Sequence, residues 1–259
     1  MKANKNCIGV KRQISIFLLV FMVIMGFKYG FGQERFLMDE NTFQKFKLSK
    51  RMFEKGKAYF LKEKYNKAKK SLKECLEDFP RYSQADYFLS QIFYKEGDFP
   101  KALVHIEKAK ANYGFMADLL VATQQKYLDD LRTQKQELQA NLIDLTSGSD
   151  IDQVKALIKN IDTKLNEPIP VVPKKSADYY YFHGNIFMKL KKYNEAQAQY
   201  IEALQIDPNH GNASNNLASL YYMIKQYQKA LDYLTQAETN GVKINQEFKK
   251  AILKALKKE

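Results

Sequence analysis

An alanine with the same surroundings occurs at Ala68, Ala102, Ala196 and Ala230, and this recurrence restricts the possible folds more than any other feature. The first two alanines are 34 residues apart, and so are the last two, whereas 94 residues, or 34 plus 60, separate the middle pair. Each alanine has an aromatic residue three positions before it and small residues twelve positions before and seven positions after it. A repeat of this length indicates small structural units that stack on one another, because one unit alone cannot bury its apolar face.

The pattern resembles the tetratricopeptide repeat, whose signature is W-x2-L-G-x2-Y, then A-x3-F, then P. The third copy carries His183, Gly184, Phe187, Ala196, Tyr200 and Pro208, and the first carries Lys55, Gly56, Tyr59, Ala68, Leu72 and Pro80. The other two copies depart from the signature at its last position, where Gly114 and Val242 stand for proline. The resemblance covers residues 49–116 and 177–244 and implies an all-α fold, a helix-turn-helix solenoid.

These features divide the chain into consecutive segments. We expect a signal peptide or membrane anchor at 1–32, a lead-in at 33–48, repeats one and two at 49–116, a helical hairpin and Pro-rich linker at 117–176, repeats three and four at 177–244, and a capping helix at 245–259.

Two apolar seams in the interruption predict an antiparallel helical hairpin. They consist of Leu128, Leu131, Leu138, Leu142 and Leu145, and of Ile151, Val154, Ile158, Ile161 and Leu165. Their spacing is that of a short coiled coil, with Lys135 interrupting the first seam. The hairpin could shield the second repeat, or it could project as an arm that holds a partner or self-associates.

The amino terminus has the layout of a secretory signal. A basic head precedes an uncharged apolar run at residues 14–27, and Gly30 and Gly32 then supply the small side chains that signal peptidase requires before Gln33. An uncleaved anchor is the alternative, and a buried helix of a cytoplasmic protein is a third interpretation. We therefore expect an exported protein, located in the periplasm or cell envelope, or anchored in the inner membrane with its repeats outside the cytoplasm.

The net charge of +13 falls to +8 for a chain that begins at Gln33. Lysine and glutamate are mixed along the helices, so we interpret most of this charge as solvated helix faces and predict no nucleic-acid partner. Of the two cysteines, Cys75 lies on an apolar stripe and is expected to be a packing residue.

No constellation of catalytic residues is evident. The histidines His105, His183 and His210 occupy unrelated repeat positions, and we expect His183 to be a half-buried packing residue. No metal-binding spacing and no phosphate-binding glycine loop occurs in the sequence. We predict no enzyme activity, no cofactor and no metal, with an enzyme accessory or an unrecognised hydrolase as a remaining hypothesis.

The resemblance implies that the first helices of the units line a groove for a peptide or helix. Matching positions are Phe53, Lys57 and Phe60, then Tyr87, Gln91 and Tyr94, then Tyr181, Asn185 and Met188, then Asn215, Asn216, Ser219 and Tyr222. Asn185 and Asn216 also match two asparagines of the repeats that clamp chaperone carboxyl termini, but Tyr181 stands where that clamp has lysine, so we predict no chaperone clamp.

Together these features predict a non-catalytic adaptor, exported to the cell envelope, that binds a protein or peptide in its groove. The alternative is a membrane-tethered structural subunit that self-associates through the hairpin. In either case, the membrane is contacted only through the amino-terminal segment if it is uncleaved.

Overall fold

A computed structural model describes residues 39–144, 148–169 and 171–257, all within one compact unit, Leu37–Glu259. Every regular element in these ranges is an α-helix, which confirms the predicted all-α class. The helices are α1 (Glu40–Leu61), α2 (Tyr65–Asp78), α3 (Ser83–Lys95), α4 (Phe99–Asp144), α5 (Gly148–Leu165), α6 (Ala177–Lys189), α7 (Tyr193–Ile206), α8 (Gly211–Met223), α9 (Tyr227–Thr239) and α10 (Gln246–Leu256). None of these helices is long and apolar enough to cross a membrane, and the expected signal at 1–32 lies outside the described residues.

The helices pair as the 34-residue period predicts: α1 with α2, α3 with α4, α6 with α7, and α8 with α9. All four repeated alanines are fully buried. The small residue of the first helix permits this close approach, because a Cβ added at Gly56 would lie 2.7 Å from Leu72 Cγ and one at Gly184 would lie 2.5 Å from Tyr200 Cε1. The side chain that closes on the glycine is therefore the one four residues after the alanine, rather than the alanine itself.

Helix α4 is one uninterrupted rod of 46 residues, and it crosses the boundary that the sequence analysis placed after residue 116. Gly114 is helical, and a Cβ there would meet only the Lys174 carbonyl oxygen, at 3.7 Å. Because no proline follows Pro100 within the helix, nothing in the local sequence stops it at Gly114. The second helix of the second unit thus continues directly into the hairpin.

The hairpin closes over its own apolar seam. Leu128, Leu131 and Ile161 are buried, with Leu138 and Leu165 packed against them. Lys135, which interrupts the seam, donates to Asp162 Oδ1 of α5 at 2.5 Å. The root of the hairpin also contacts α1, since Lys126 Nζ lies 3.0 Å from Glu40 Oε2 and 5.0 Å from the Phe43 ring centre.

The stack continues across the insertion, because α6 packs directly on the second unit. Tyr179 of α6 stacks on Tyr87 of α3 at 4.2 Å and meets Tyr113 of α4 at 5.0 Å. An ion pair between Lys174 and Asp118 joins the end of the linker to α4. The inserted residues therefore leave the stack and return to it one unit further on.

Helix α10 closes the other end of the stack. Asn245 caps it by accepting from the backbone N–H groups of Glu247 and Phe248. Ile252 is fully buried, and the Phe248 ring packs edge-on against Tyr222 at 5.3 Å. Helix α8, the first helix of the fourth unit, is thereby covered along one side.

Candidate partner-binding groove

The thirteen groove residues expected from the sequence lie on the first helices α1, α3, α6 and α8. Twelve of them are half-buried, and Phe53 is buried at 7% exposure. Half-buried side chains keep one side against the core and one side accessible, which suits a preformed contact surface. Phe53 instead packs inward, tilted against Tyr82 at 5.0 Å.

Aromatic side chains connect the first three of these helices. Phe88 of α3 meets Phe60 at 5.0 Å and Phe53 at 5.7 Å on α1. Phe182 of α6 meets Tyr94 at 5.3 Å and Tyr87 at 5.8 Å on α3. The rings thus form a nearly continuous strip from α1 through α3 to α6, stabilised by edge-to-face and tilted contacts.

Phe88 and Phe182 belong to this strip of rings, and neither is among the thirteen residues expected from the sequence. They occupy one repeat position, 94 residues apart, immediately after Tyr87 and Tyr181, and both are half-buried. Comparing all aromatic residues at repeat-equivalent positions would have identified both.

The surface changes from aromatic to polar towards α8. Tyr200 of α7 donates from its hydroxyl to Asn185 Oδ1 at 2.7 Å, and Asn216 Nδ2 donates to the same oxygen at 2.8 Å and to the Tyr200 hydroxyl at 3.1 Å. Burial of Tyr200 raises its pKa. Within the described residues, Asn185 Nδ2 and Asn216 Oδ1 make no hydrogen bond, so a donor and an acceptor remain for a ligand.

The remaining groove side chains at this end are held by local contacts. Tyr222 packs against Tyr227 of α9 at 5.6 Å, and the Ser219 hydroxyl donates to the Asn215 carbonyl oxygen at 3.2 Å. Tyr181 lies 4.9 Å from His210, whose Nδ1 accepts from the Ala213 N–H and whose Nε2 lies 3.3 Å from Asp178 Oδ1. These contacts hold the Tyr181 and Tyr222 rings in place.

A partly buried polar contact joins the second and third units. Lys110 Nζ of α4 donates to His183 Nδ1 at 3.0 Å and to Gln199 Oε1 at 2.5 Å, and it lies 3.8 Å from the centre of the Tyr180 ring. Burial lowers the pKa of Lys110 to about 8, and burial together with the Lys110 charge lowers the pKa of His183 to about 3. At neutral pH a lysine ammonium therefore donates to a neutral imidazole.

His183 is 5% exposed, rather than half-buried as expected, and its Nε2 has no partner within the described chain. No three His, Cys, Asp or Glu side chains of the described ranges come together as a metal site. The Cys75 thiol is free and buried, and burial raises its pKa to about 12.

Comparison with known proteins identifies the repeats. Two sequence profiles described as tetratricopeptide repeat match residues 53–117 and 176–240. The Hsp70-Hsp90 organising protein of Plasmodium falciparum is 37% identical over 72 residues, which are 28% of this chain and 13% of that protein. The chain thus matches only a small part of that relative's length.

Two solved structures give wider but looser matches. A thermophilic tetratricopeptide repeat protein of Thermus thermophilus is 16% identical, with 80% of this chain and 98% of that chain covered and a TM-score of 0.36. PilW, a type IV pilus biogenesis factor, is also 16% identical, with 81% and 86% covered and a TM-score of 0.41.

Proposed function

For a chain whose residues 53–117 and 176–240 are tetratricopeptide repeats, we propose the function of an exported, non-catalytic scaffold that binds a peptide or helix of a partner protein along the first helices. Repeats of this family are protein-interaction modules. The observation that carries the proposal is the strip of half-buried rings from Phe60 through Phe88 to Phe182.

The composition of this surface suits a short polypeptide. Rigid aromatic side chains supply contact area at a low cost in conformational entropy. Asn185 Nδ2 and Asn216 Oδ1, which have no partner within the described residues, can hydrogen-bond the backbone of an extended chain or the side chains of a helix. We therefore expect the apolar part of the partner to lie over α3 and α6 and its polar part to lie over α8.

A photo-crosslinking residue at one repeat position tests the groove. Gln91 and Ser219 are equivalent positions on α3 and α8, whereas Lys108 and Lys229 are exposed on the second helices α4 and α9. We expect a crosslinker at Gln91 or Ser219 to capture one and the same partner in intact cells. Capture from Lys108 and Lys229 with equal yield would contradict a groove on the first helices.

Export is tested by the mass of the mature chain. A chain that begins at Gln33 supports cleavage of the 1–32 signal and release into the envelope. An intact amino terminus supports instead the membrane-tethered structural subunit, with the partner groove unchanged.

Self-association through the hairpin remains the second candidate, and one observation favours it. Ile143, at 84% exposure near the end of α4, and Leu157, in the middle of α5, leave apolar side chains of the hairpin open to solvent. If this surface joins two copies, Ile143→Glu should convert a dimer to a monomer in analytical ultracentrifugation. A wild-type chain that sediments as a monomer would remove this candidate.

A further inference from the structure

Three positions of each first helix form the contact with the unit before it. They are Ala85, Leu89 and Ile92 in α3, Tyr179, His183 and Ile186 in α6, and Ala213, Leu217 and Leu220 in α8, and none is more than 5% exposed. The contacts of Tyr179 with Tyr113 and of His183 with Lys110 show this face meeting the preceding unit. The equivalent residues of α1 are Arg51, Lys55 and Ala58, and all three are exposed. The face of α1 is therefore not built to receive another helical unit.

The positive charge of the chain is concentrated around this face. Residues 41–73, which form most of α1 and α2, contain 12 lysines and arginines and 2 acids, a net charge of +10. Residues 74–259 contain 24 basic and 24 acidic residues and are neutral. Most of the net positive charge of the chain therefore lies in residues 41–73, rather than being spread evenly along the helices.

Solubility explains why an end of the stack is polar, but it does not explain why the charges there are mostly positive. Terminal repeats need a polar outer face, and mixed charges provide it. The first helix pair, Glu40–Asp78, contains 12 basic residues and six acids, a net charge of +6, and ten of the basic residues are exposed. This charge points to a negatively charged partner.

The side chains are arranged along one face of α1. Lys47, Arg51 and Lys55 follow each other at intervals of four residues, and Lys62 continues the row at the end of the helix. We call these four residues the cationic end face; it runs along roughly 22 Å of helix. Leu48 lies beside Arg51 and Lys55 and is 44% exposed, and Leu61, next to Lys62, is 70% exposed.

We infer that the cationic end face docks on the phosphate headgroups of an anionic lipid bilayer. Eleven of the twelve basic residues are lysines, which act as point charges in a diffuse negative potential, whereas nucleic-acid recognition favours the arginine fork. Exposed leucines beside the lysines can enter the boundary between headgroups and acyl chains. The apolar run at 14–27, which is expected to enter a membrane whether or not it is cleaved, ends only twelve residues before α1.

Vesicle co-sedimentation of the chain that begins at Gln33 tests this inference. That chain retains the compact unit Leu37–Glu259 and lacks the apolar run, so the run cannot cause binding. We expect binding to vesicles that contain phosphatidylglycerol, none to pure phosphatidylcholine, and weakening at high ionic strength. Replacing Lys47, Arg51 and Lys55 together by glutamine should lower the partition coefficient roughly a hundredfold, at about fivefold for each charge.

A variant on α5 provides the matched control. Replacing the exposed residues Lys155, Lys159 and Lys164 by glutamine removes the same charge from one helix and should leave binding unchanged. Three results would overturn the inference: equal binding to vesicles with and without phosphatidylglycerol, an equal loss of vesicle binding in the α1 and α5 variants, or no vesicle binding at all. So would tighter binding to a DNA duplex or to polyglutamate at the same ionic strength. Crosslinking from Gln91 reports on the groove alone, so failure here is distinguishable from failure of the proposed function.

Discussion

Residue 183 is a histidine where the equivalent residues of the neighbouring units are Leu89 and Leu217, and the structure explains how the chain accommodates it. Lysine can only donate, so the contact with Lys110 makes His183 Nδ1 the acceptor and places the ring proton on Nε2. That buried N–H has no partner within the described chain. The junction between the second and third units therefore has a polar side chain where the other two junctions have Leu89 and Leu217.

Acid should weaken this junction through His183. The pKa of His183 is lowered to about 3 in the folded chain from its usual 6.5, so the unfolded chain binds more protons between these values. Stability is therefore fully present above about pH 6.5 and falls on the way to pH 3, by on the order of 3 kcal/mol between pH 7 and pH 4. We expect His183→Leu to abolish this component, as measured by urea unfolding at both pH values. An unchanged pH dependence in the variant would contradict the assignment.

At this scale the sequence predicts residue types better than their surroundings. The small and aromatic repeat positions follow from spacing, because every unit needs the same contacts. The burial of His183 was underestimated, since its lysine partner is 73 residues away and belongs to another unit. Phe88 and Phe182 were not predicted, because each lies one position after a residue that the family pattern assigns to the groove.

At the scale of the elements, each turn between two paired helices contains one residue with a positive φ angle, and only in the second unit is that residue a glycine. Glu63, Gly97, Lys191 and Lys225 occupy the same repeat position and have φ values of 56°, 82°, 59° and 62°. For a residue with a Cβ this conformation costs about 1–2 kcal/mol, whereas glycine adopts it freely. Three turns therefore carry backbone strain that the second unit avoids.

Exchanging residues between two turns should change stability in opposite directions. Lys191→Gly relieves strain but adds chain entropy to the unfolded state, so we expect a gain of about 0.5 kcal/mol in the free energy of unfolding. Gly97→Lys should lose about 1 kcal/mol, since no atom lies within 4 Å of an added Cβ and the backbone alone resists it. Chemical denaturation of the two variants measures both values. Changes of the same sign would refute this account of the turns.

The helices within the repeats were predictable and α4 was not. In the repeats, the 34-residue period, the position of the small residue and the position of the turn all indicate the same helix ends. Beyond residue 116 the period stops, and Gly114, which stands at the proline position of the signature, lies inside the helix. The two hairpin seams were nevertheless predicted, since apolar spacing alone determines which faces meet.

At the scale of the whole molecule, the insertion is an addition to a stack that is complete without it. Removing residues 117–176 joins Met116 to Ala177 and restores the 34-residue period between the second and third units. We expect the deletion variant to remain helical and to unfold in one cooperative transition. Its free energy of unfolding should fall by about 2 kcal/mol, because the buried Leu119 side chain is lost, whereas the seam of Leu128, Leu131 and Ile161 packs only within the deleted hairpin.

Circular dichroism and thermal unfolding check this deletion. A variant that loses helicity per residue, or melts in two separate steps, would show that the hairpin holds the halves of the stack together. The contacts of Tyr87 with Tyr179 and of Lys110 with Gln199 involve no deleted residue, and they are the reason to expect a single transition.

The unbroken passage of α4 from stack to hairpin has a geometric consequence. A loop would let the inserted arm pivot, but a rod turns by about 100° for every residue added to it. One extra residue between Met116 and Leu128 would therefore rotate the hairpin about the α4 axis to a different side of the stack. Seven extra residues, close to two full turns, would lengthen the hairpin and leave its direction almost unchanged. We therefore expect relatives of this chain to differ in hairpin length by nearly whole turns of helix.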